Sequence, residues 1–132
     1  MERISYLEYS DRDIKAAKIM LEACLYDYAG RLSQQAIEKR FKHFIEQQGS
    51  PSDKRIFGTH NLRKLYKRVC ELSNIPEDKT LNGDLASLTD YYYDTNYPQE
   101  HGNIELTHDA ALEAVRIAED MIFLVDGLLS QD

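Results

Sequence analysis

The sequence predicts an all-α protein, an up-and-down antiparallel bundle of four long helices plus a shorter one, filling a single domain over residues 1–132. Three observations carry this expectation. Apolar residues recur at three and four positions along every long segment, the period of a helix with one buried face. Few segments show the strict alternation of a half-buried strand. Only 3 Pro and 6 Gly occur, and all three prolines fall between the apolar stripes, where they act as breakers. The mix of 42% hydrophobic and 30% charged residues is that of a globular domain. The length suits one core.

Ser10-Asp11-Arg12-Asp13 reads as the start of the first helix, with Ser10 as cap and the acids at the positive end. Met1–Tyr9 could extend that helix backwards. Ile14, Ala17, Leu21, Cys24, Leu25 and Tyr28 form its stripe, and the chain is expected to turn around Tyr26–Gly30. The second helix runs to about Gln48 on Ile37, Phe41, Phe44 and Ile45. Gly49-Ser50-Pro51 ends it. Lys54–Gly58 reads as loop. A third helix follows Thr59 on Leu62, Leu65, Tyr66, Val69 and Leu72, until Asn74-Ile75-Pro76 stops it. Leu81, Leu85, Leu88 and Tyr92 suggest the shorter helix, ending before Asn96-Tyr97-Pro98. Gln99–Glu105 reads as loop. Thr107 caps the last helix, with Asp109 in its first turn and Ala110, Ala114, Ile117, Met121, Ile122, Val125 and Leu128 or Leu129 along its stripe. Short connections make neighbouring helices antiparallel.

Cys24 and Cys70 lie inside helical patterns without metal-type spacing and read as small core residues. The net charge of -7 and a pI near 5.1 oppose a generic nucleic-acid coat, so no DNA partner is expected, although a local basic groove stays open. The N-terminal MERISYLEYSDRD lacks the apolar core of a signal peptide. No apolar run approaches the roughly 18 residues of a membrane span. A cytoplasmic location without membrane contact is the corresponding expectation.

Three constellations could carry chemistry. Gln35, Glu38, Lys39 and Lys42 stand at i, i+3, i+4 and i+7 on the second helix, roughly opposite Ile37, Phe41 and Phe44. Such a face could hold a phosphate or a base. It reads equally as a solvated face whose Glu38–Lys42 pair contributes a few tenths of a kcal/mol. Thr59-His60-Asn61-Leu62 opens the third helix, where free N–H groups attract anions and His60 could add a proton donor. Simple capping by Thr59 is the rival reading. Tyr91, Tyr92, Tyr93 and Tyr97 gather beside His101, and phenols in such a cluster can stack on a base or pack in a core or dimer surface.

No Ser/His/Asp arrangement and no Gly-rich phosphate loop occurs. His43, His60, His101 and His108 show no metal spacing with carboxylates, so neither metal nor cofactor is expected. Arg55 and His60 form an Arg–His pair that straddles a loop.

Taken in order, Tyr9-Ser10-Asp11 with Asp13 and Ala16-Ala17, Gln34-Gln35-Ala36-Ile37-Glu38-Lys39 with Lys42, Thr59-His60-Asn61-Leu62 with Leu65, Tyr97-Pro98 and the Ala-rich last helix resemble the HEPN family over nearly the whole chain. QQAIEK followed by THNL is the specific part. The resemblance implies a helical bundle, usually dimeric, like the C-terminal domain of kanamycin nucleotidyltransferase. It also implies a nucleotide- or partner-binding module, often the companion of a minimal nucleotidyltransferase in a two-component, toxin–antitoxin-like system. Gln35, Glu38, Lys39, Lys42, His60, Asn61 and Tyr97 would line its binding site.

Other relatives are metal-independent RNases that use an Arg and a His four to six residues apart across a dimer cleft. In relatives with the Tyr-Pro element an Arg commonly precedes the Tyr. Here Asn96 takes that place, followed by His101. An Asn cannot supply the fixed positive charge that stabilises a cleaving phosphate. The alternative reading is therefore an endoribonuclease with a composite dimer site drawn from Arg55, His60, Asn96 and His101.

Overall fold

The computed structural model describes the backbone of residues 3–96 and 106–131 and the side chains of 3–91 and 106–131. All regular structure among the described residues is helical. The elements are α1 (Tyr6–Glu22), α2 (Tyr26–Gln48), a 3-10 helix (Pro51–Gly58), α3 (Leu62–Ser73), α4 (Lys79–Asn96) and α5 (His108–Leu129). No described helix is long and apolar enough to cross a membrane.

Local signals place the ends. Ser5 caps α1 by accepting from the Glu8 N–H at 3.1 Å. Ser10 is therefore not a cap: it is fully buried within α1, and its Oγ donates to the Ala36 carbonyl at 2.7 Å. The first turn comes earlier than expected, at Ala23–Leu25, where Cys24 takes φ 60°. Cys24 is consequently exposed, whereas Cys70 is buried. Tyr26–Gly30 is helical, and Gly30 lets Leu106 approach: a Cβ there would lie 2.3 Å from Leu106 Cδ1. Asn61, not Thr59, caps α3 by accepting from the Lys64 N–H, while Thr59 Oγ1 accepts from the Asn61 N–H. Asn74 closes α3 in the left-handed conformation, φ 55°. Thr107 caps α5 as expected, accepting from the Ala110 N–H.

The shorter α-helix is α3, with 12 residues, while α4 has 18 and reaches Asn96. The segment read as loop after Pro51 is a 3-10 helix of 8 residues.

α2 is the central element and packs on α1, α3, α4 and α5. Ile37, Phe41, Phe44 and Ile45 are buried along it, with Leu62, Leu65, Tyr66 and Val69 from α3, Leu85 and Leu88 from α4, and Ala114, Ala118, Met121 and Val125 from α5. Burial of these side chains, at about 25 cal/mol per Å² of apolar surface, is the main driving force holding the bundle.

The direction of the helices departs from a simple up-and-down bundle. α3 runs the same way as α2: His60 meets Glu38 at 3.0 Å, Phe41 meets Tyr66 with ring centroids 6.1 Å apart, and Arg68 binds Asp53, just past the end of α2. α5 also runs with α2, since Leu106 N–H donates to Asp27 and Arg40 donates to Asp126. α1 and α4 run against them. The 3-10 helix makes this possible. Its 8 residues, at about 2 Å each, span about 16 Å. The α2 segment from Glu38 to Gly49 rises about the same distance at about 1.5 Å per residue. The chain thus travels back along α2 before α3 begins, and His60 arrives beside Glu38.

One buried cation ties three helices. Arg40 is 3% exposed; its Nε donates to Ser10 Oγ at 3.0 Å, and its two terminal nitrogens reach Asp11 on α1 and Asp126 on α5.

Candidate functional site

The face expected on α2 is present but closed to solvent. Glu38 is 1% exposed and Lys42 3%, so the solvated reading is corrected: α1 and the His60 segment cover this face. Glu38 Oε2 accepts from Lys42 Nζ at 2.8 Å and from Lys39 Nζ at 3.3 Å. Glu38 Oε1 faces His60 Nδ1 at 3.0 Å and accepts from Gln34 Nε2 at 3.2 Å. Gln34 Nε2 also lies 3.3 Å from the His60 carbonyl, locking the segment before α3 onto α2. Gln34 Oε1 is buried and accepts no hydrogen bond among the described residues.

The electrostatics follow from this packing. Burial pushes the Glu38 carboxyl up. The Lys42 hydrogen bond, the nearby Lys39 charge and the His60 hydrogen bond together outweigh it, and the carboxyl stays below its usual range. Asp13 on α1 faces the same cluster. Burial raises its carboxyl above the usual range, Lys39 opposes the rise and Glu38 adds to it. Asp13 and Gln34 were not singled out as binding candidates in the sequence. Both lie within the motif-like runs, and only their convergence in space distinguishes them.

A carboxylate can only accept, so His60 Nδ1 is the donor to Glu38 and carries a proton. That fixes the tautomer and the ring's orientation, an arrangement suited to proton transfer or to a phosphate oxygen. The His60 side chain is 39% exposed and that of Lys39 27%. These two bring the buried cluster to the surface.

The remaining candidates divide. Gln35 is half-buried and makes no hydrogen bond to the cluster among the described residues. Asn61 serves α3 as its cap. Arg55 is exposed on the 3-10 helix, and no ion pair or hydrogen bond joins it to His60 among the described residues. Asn96 closes α4, its side chain outside the described residues, as are Tyr97 and His101. No group of three or more His, Cys, Asp or Glu among the described residues could hold a metal ion.

A bundle of helices centred on α2, with a buried carboxylate gathering cations from its own helix and an imidazole from the next, defines an all-helical module with a polar cluster in its interior. The HEPN domain model matches residues 5–128, and the chain belongs to the HEPN family. No curated protein and no solved structure gives a significant match.

Proposed function

We propose that this chain is a HEPN nucleotide- or partner-binding module, the accessory subunit of a minimal nucleotidyltransferase in a two-component, toxin–antitoxin-like system. The observation that carries the reading is the Glu38–His60 contact of 3.0 Å beside Lys39. It presents an oriented imidazole and an ammonium together at the surface, and both suit the phosphates of a nucleotide. Glu38 and Lys42 position these groups from within rather than meeting the ligand. The module acts in the cytoplasm as a homodimer in this reading, and Gln35 and Asn61 border the same site.

Calorimetric titration with nucleoside triphosphates, and co-purification with any nucleotidyltransferase encoded beside it, test this. Lys39→Ala and His60→Ala should each weaken binding about tenfold, the worth of one charge-assisted hydrogen bond. No affinity for any nucleotide and none for that partner would reject the proposal.

The fixed His60 tautomer also supports a second reading, a metal-independent endoribonuclease. Labelled RNA incubated in chelator should then be cleaved by the parent and spared by His60→Ala or His101→Ala. Intact RNA at high protein concentration rejects it.

A further inference from the structure

The chain is acidic overall, yet residues 54–70 contain Lys54, Arg55, Arg63, Lys64, Lys67 and Arg68 and no Asp or Glu. Arg68 is neutralised: its guanidinium binds both Asp53 oxygens, at 2.6 and 3.1 Å, and reaches Glu71 at 3.5 Å. The other five are exposed, and none makes an ion pair among the described residues. Elsewhere Lys18, Lys39, Arg40, Lys42 and Arg116 find carboxylates, while Arg12, Lys15 and Lys79 do not among the described residues and lie scattered rather than in an acid-free run.

Arg63, Lys64 and Lys67 lie at i, i+1 and i+4 and share the outer face of α3, with Cβ spacings of about 5–6 Å between Lys67 and each of the other two. Like charges at this spacing repel by a few tenths of a kcal/mol per pair. No carboxylate among the described residues comes within ion-pair distance of the three, although Glu71 and Glu77 line the same concavity as Lys67. A polyanion would relieve the repulsion. Glu71, paired with Arg68, marks the C-terminal limit of the stripe. The helix's one aromatic residue, Tyr66, is 2% exposed and packs against Phe41, so the face offers charge without a ring on which a base could stack.

We infer that the exposed face of α3 is a docking surface for a nucleic-acid strand, held through its phosphodiester backbone by Arg63, Lys64 and Lys67 and without reading its bases. Lys54 lies apart from this stripe, in a concavity lined by Tyr6, Ile45 and Glu46. His60 stands two residues ahead of α3, so a strand on this face passes close to the Glu38–His60 pair. The inference goes beyond the binding-module reading and does not depend on it, because Lys39 and His60 contribute nothing to the α3 stripe.

Fluorescence anisotropy with a labelled RNA oligonucleotide and its DNA counterpart, across a range of salt concentrations, is the test. Three phosphate contacts contribute about two to the slope of log affinity against log salt. The Arg63→Ala/Lys64→Ala/Lys67→Ala variant should lose that slope and bind at least about tenfold more weakly at low salt. A charge-matched control, Arg12→Ala/Lys15→Ala/Lys79→Ala, should bind as the parent does. RNA and DNA should bind alike, since only the backbone is held. Circular dichroism verifies that both variants keep their helices.

Four results would overturn the inference. These are no RNA binding by the parent at low salt, an equal loss in the control, binding of RNA but not DNA, or polyglutamate binding as tightly as RNA. The last would assign the face to an acidic protein instead. Nucleotide titration of the α3 variant keeps the two proposals apart: its site at Lys39 and His60 is intact, so its nucleotide affinity should be unchanged.

Discussion

Lys42 Nζ lies 2.8 Å from Glu38 Oε2, one helical turn away, and both side chains are sealed from water. Removing one member of a buried ion pair strands the other charge, at a typical cost of about 3–5 kcal/mol. Glu38 keeps Lys39 and His60, so Lys42→Ala should fall near the lower end, about 3 kcal/mol. The double variant Glu38→Gln/Lys42→Met removes both charges and should lose less than the sum of its single substitutions. Urea unfolding of the four proteins measures the difference, and strict additivity would deny that the two groups are coupled.

Acid should act on the fold in two opposed ways. Glu38 is held below its usual range in the folded protein, mainly by Lys42 against the effect of burial, and Asp53 is held down by Arg68. A depressed carboxyl contributes stability above its unfolded pKa and loses it as pH falls through the folded value. Stability should therefore drop below about pH 4, the ordinary carboxylate range. Asp13, raised by burial, works in the other direction: protonation favours its folded form, so it offsets part of the loss at mildly acidic pH. Thermal midpoints followed from neutral pH downwards should show a shallower acid limb in Glu38→Gln. They should show an earlier onset of the fall in Asp13→Asn. Unchanged profiles in both variants would contradict these assignments.

Gly49 is where α2 stops and the chain starts back. A Cβ there would sit 2.6 Å from the Ile45 carbonyl oxygen and 2.6 Å from Asp53 Oδ2. The carbonyl is backbone and cannot swing aside. Asp53 accepts from the Ser50 N–H and from Arg68, so moving it loosens the first turn of the 3-10 helix and its tie to α3. Gly49→Ala should cost about 1–3 kcal/mol, the usual penalty of overpacking. It should also increase amide exchange around His60. A variant as stable as the parent would mean that the helix end shifts freely.

The helices were legible in the sequence because their apolar periods are regular: the α2 stripe of Ile37, Phe41, Phe44 and Ile45 is buried as read. The first cap was misplaced because Ser10 stands before acids, while Ser5 with Glu8 three residues on carries the stronger capping pattern. Cys24 fell on a helical period that ended two residues earlier, at Glu22, so the period outran the element. The site was half legible. Glu38, Lys39, Lys42 and His60 do come together, but four polar residues on one face look solvated until α1 and the His60 segment are seen to cover them. The parallel run of α2 and α3 left no local trace. Short-connection reasoning assumes that the chain turns back immediately, whereas here the 3-10 helix makes the return and α3 then starts again in the original direction.

Arg40 gives the bundle a built-in sense of completion. Two of its partners, Ser10 and Asp11, precede it, but the third, Asp126, lies 86 residues downstream. During synthesis the guanidinium must wait until α5 has left the ribosome. Without Asp126 the guanidinium keeps Ser10 and Asp11 but loses its tie to α5. Arg40 thus couples the first two helices to α5 through one side chain, so the three should lose their order together rather than one at a time.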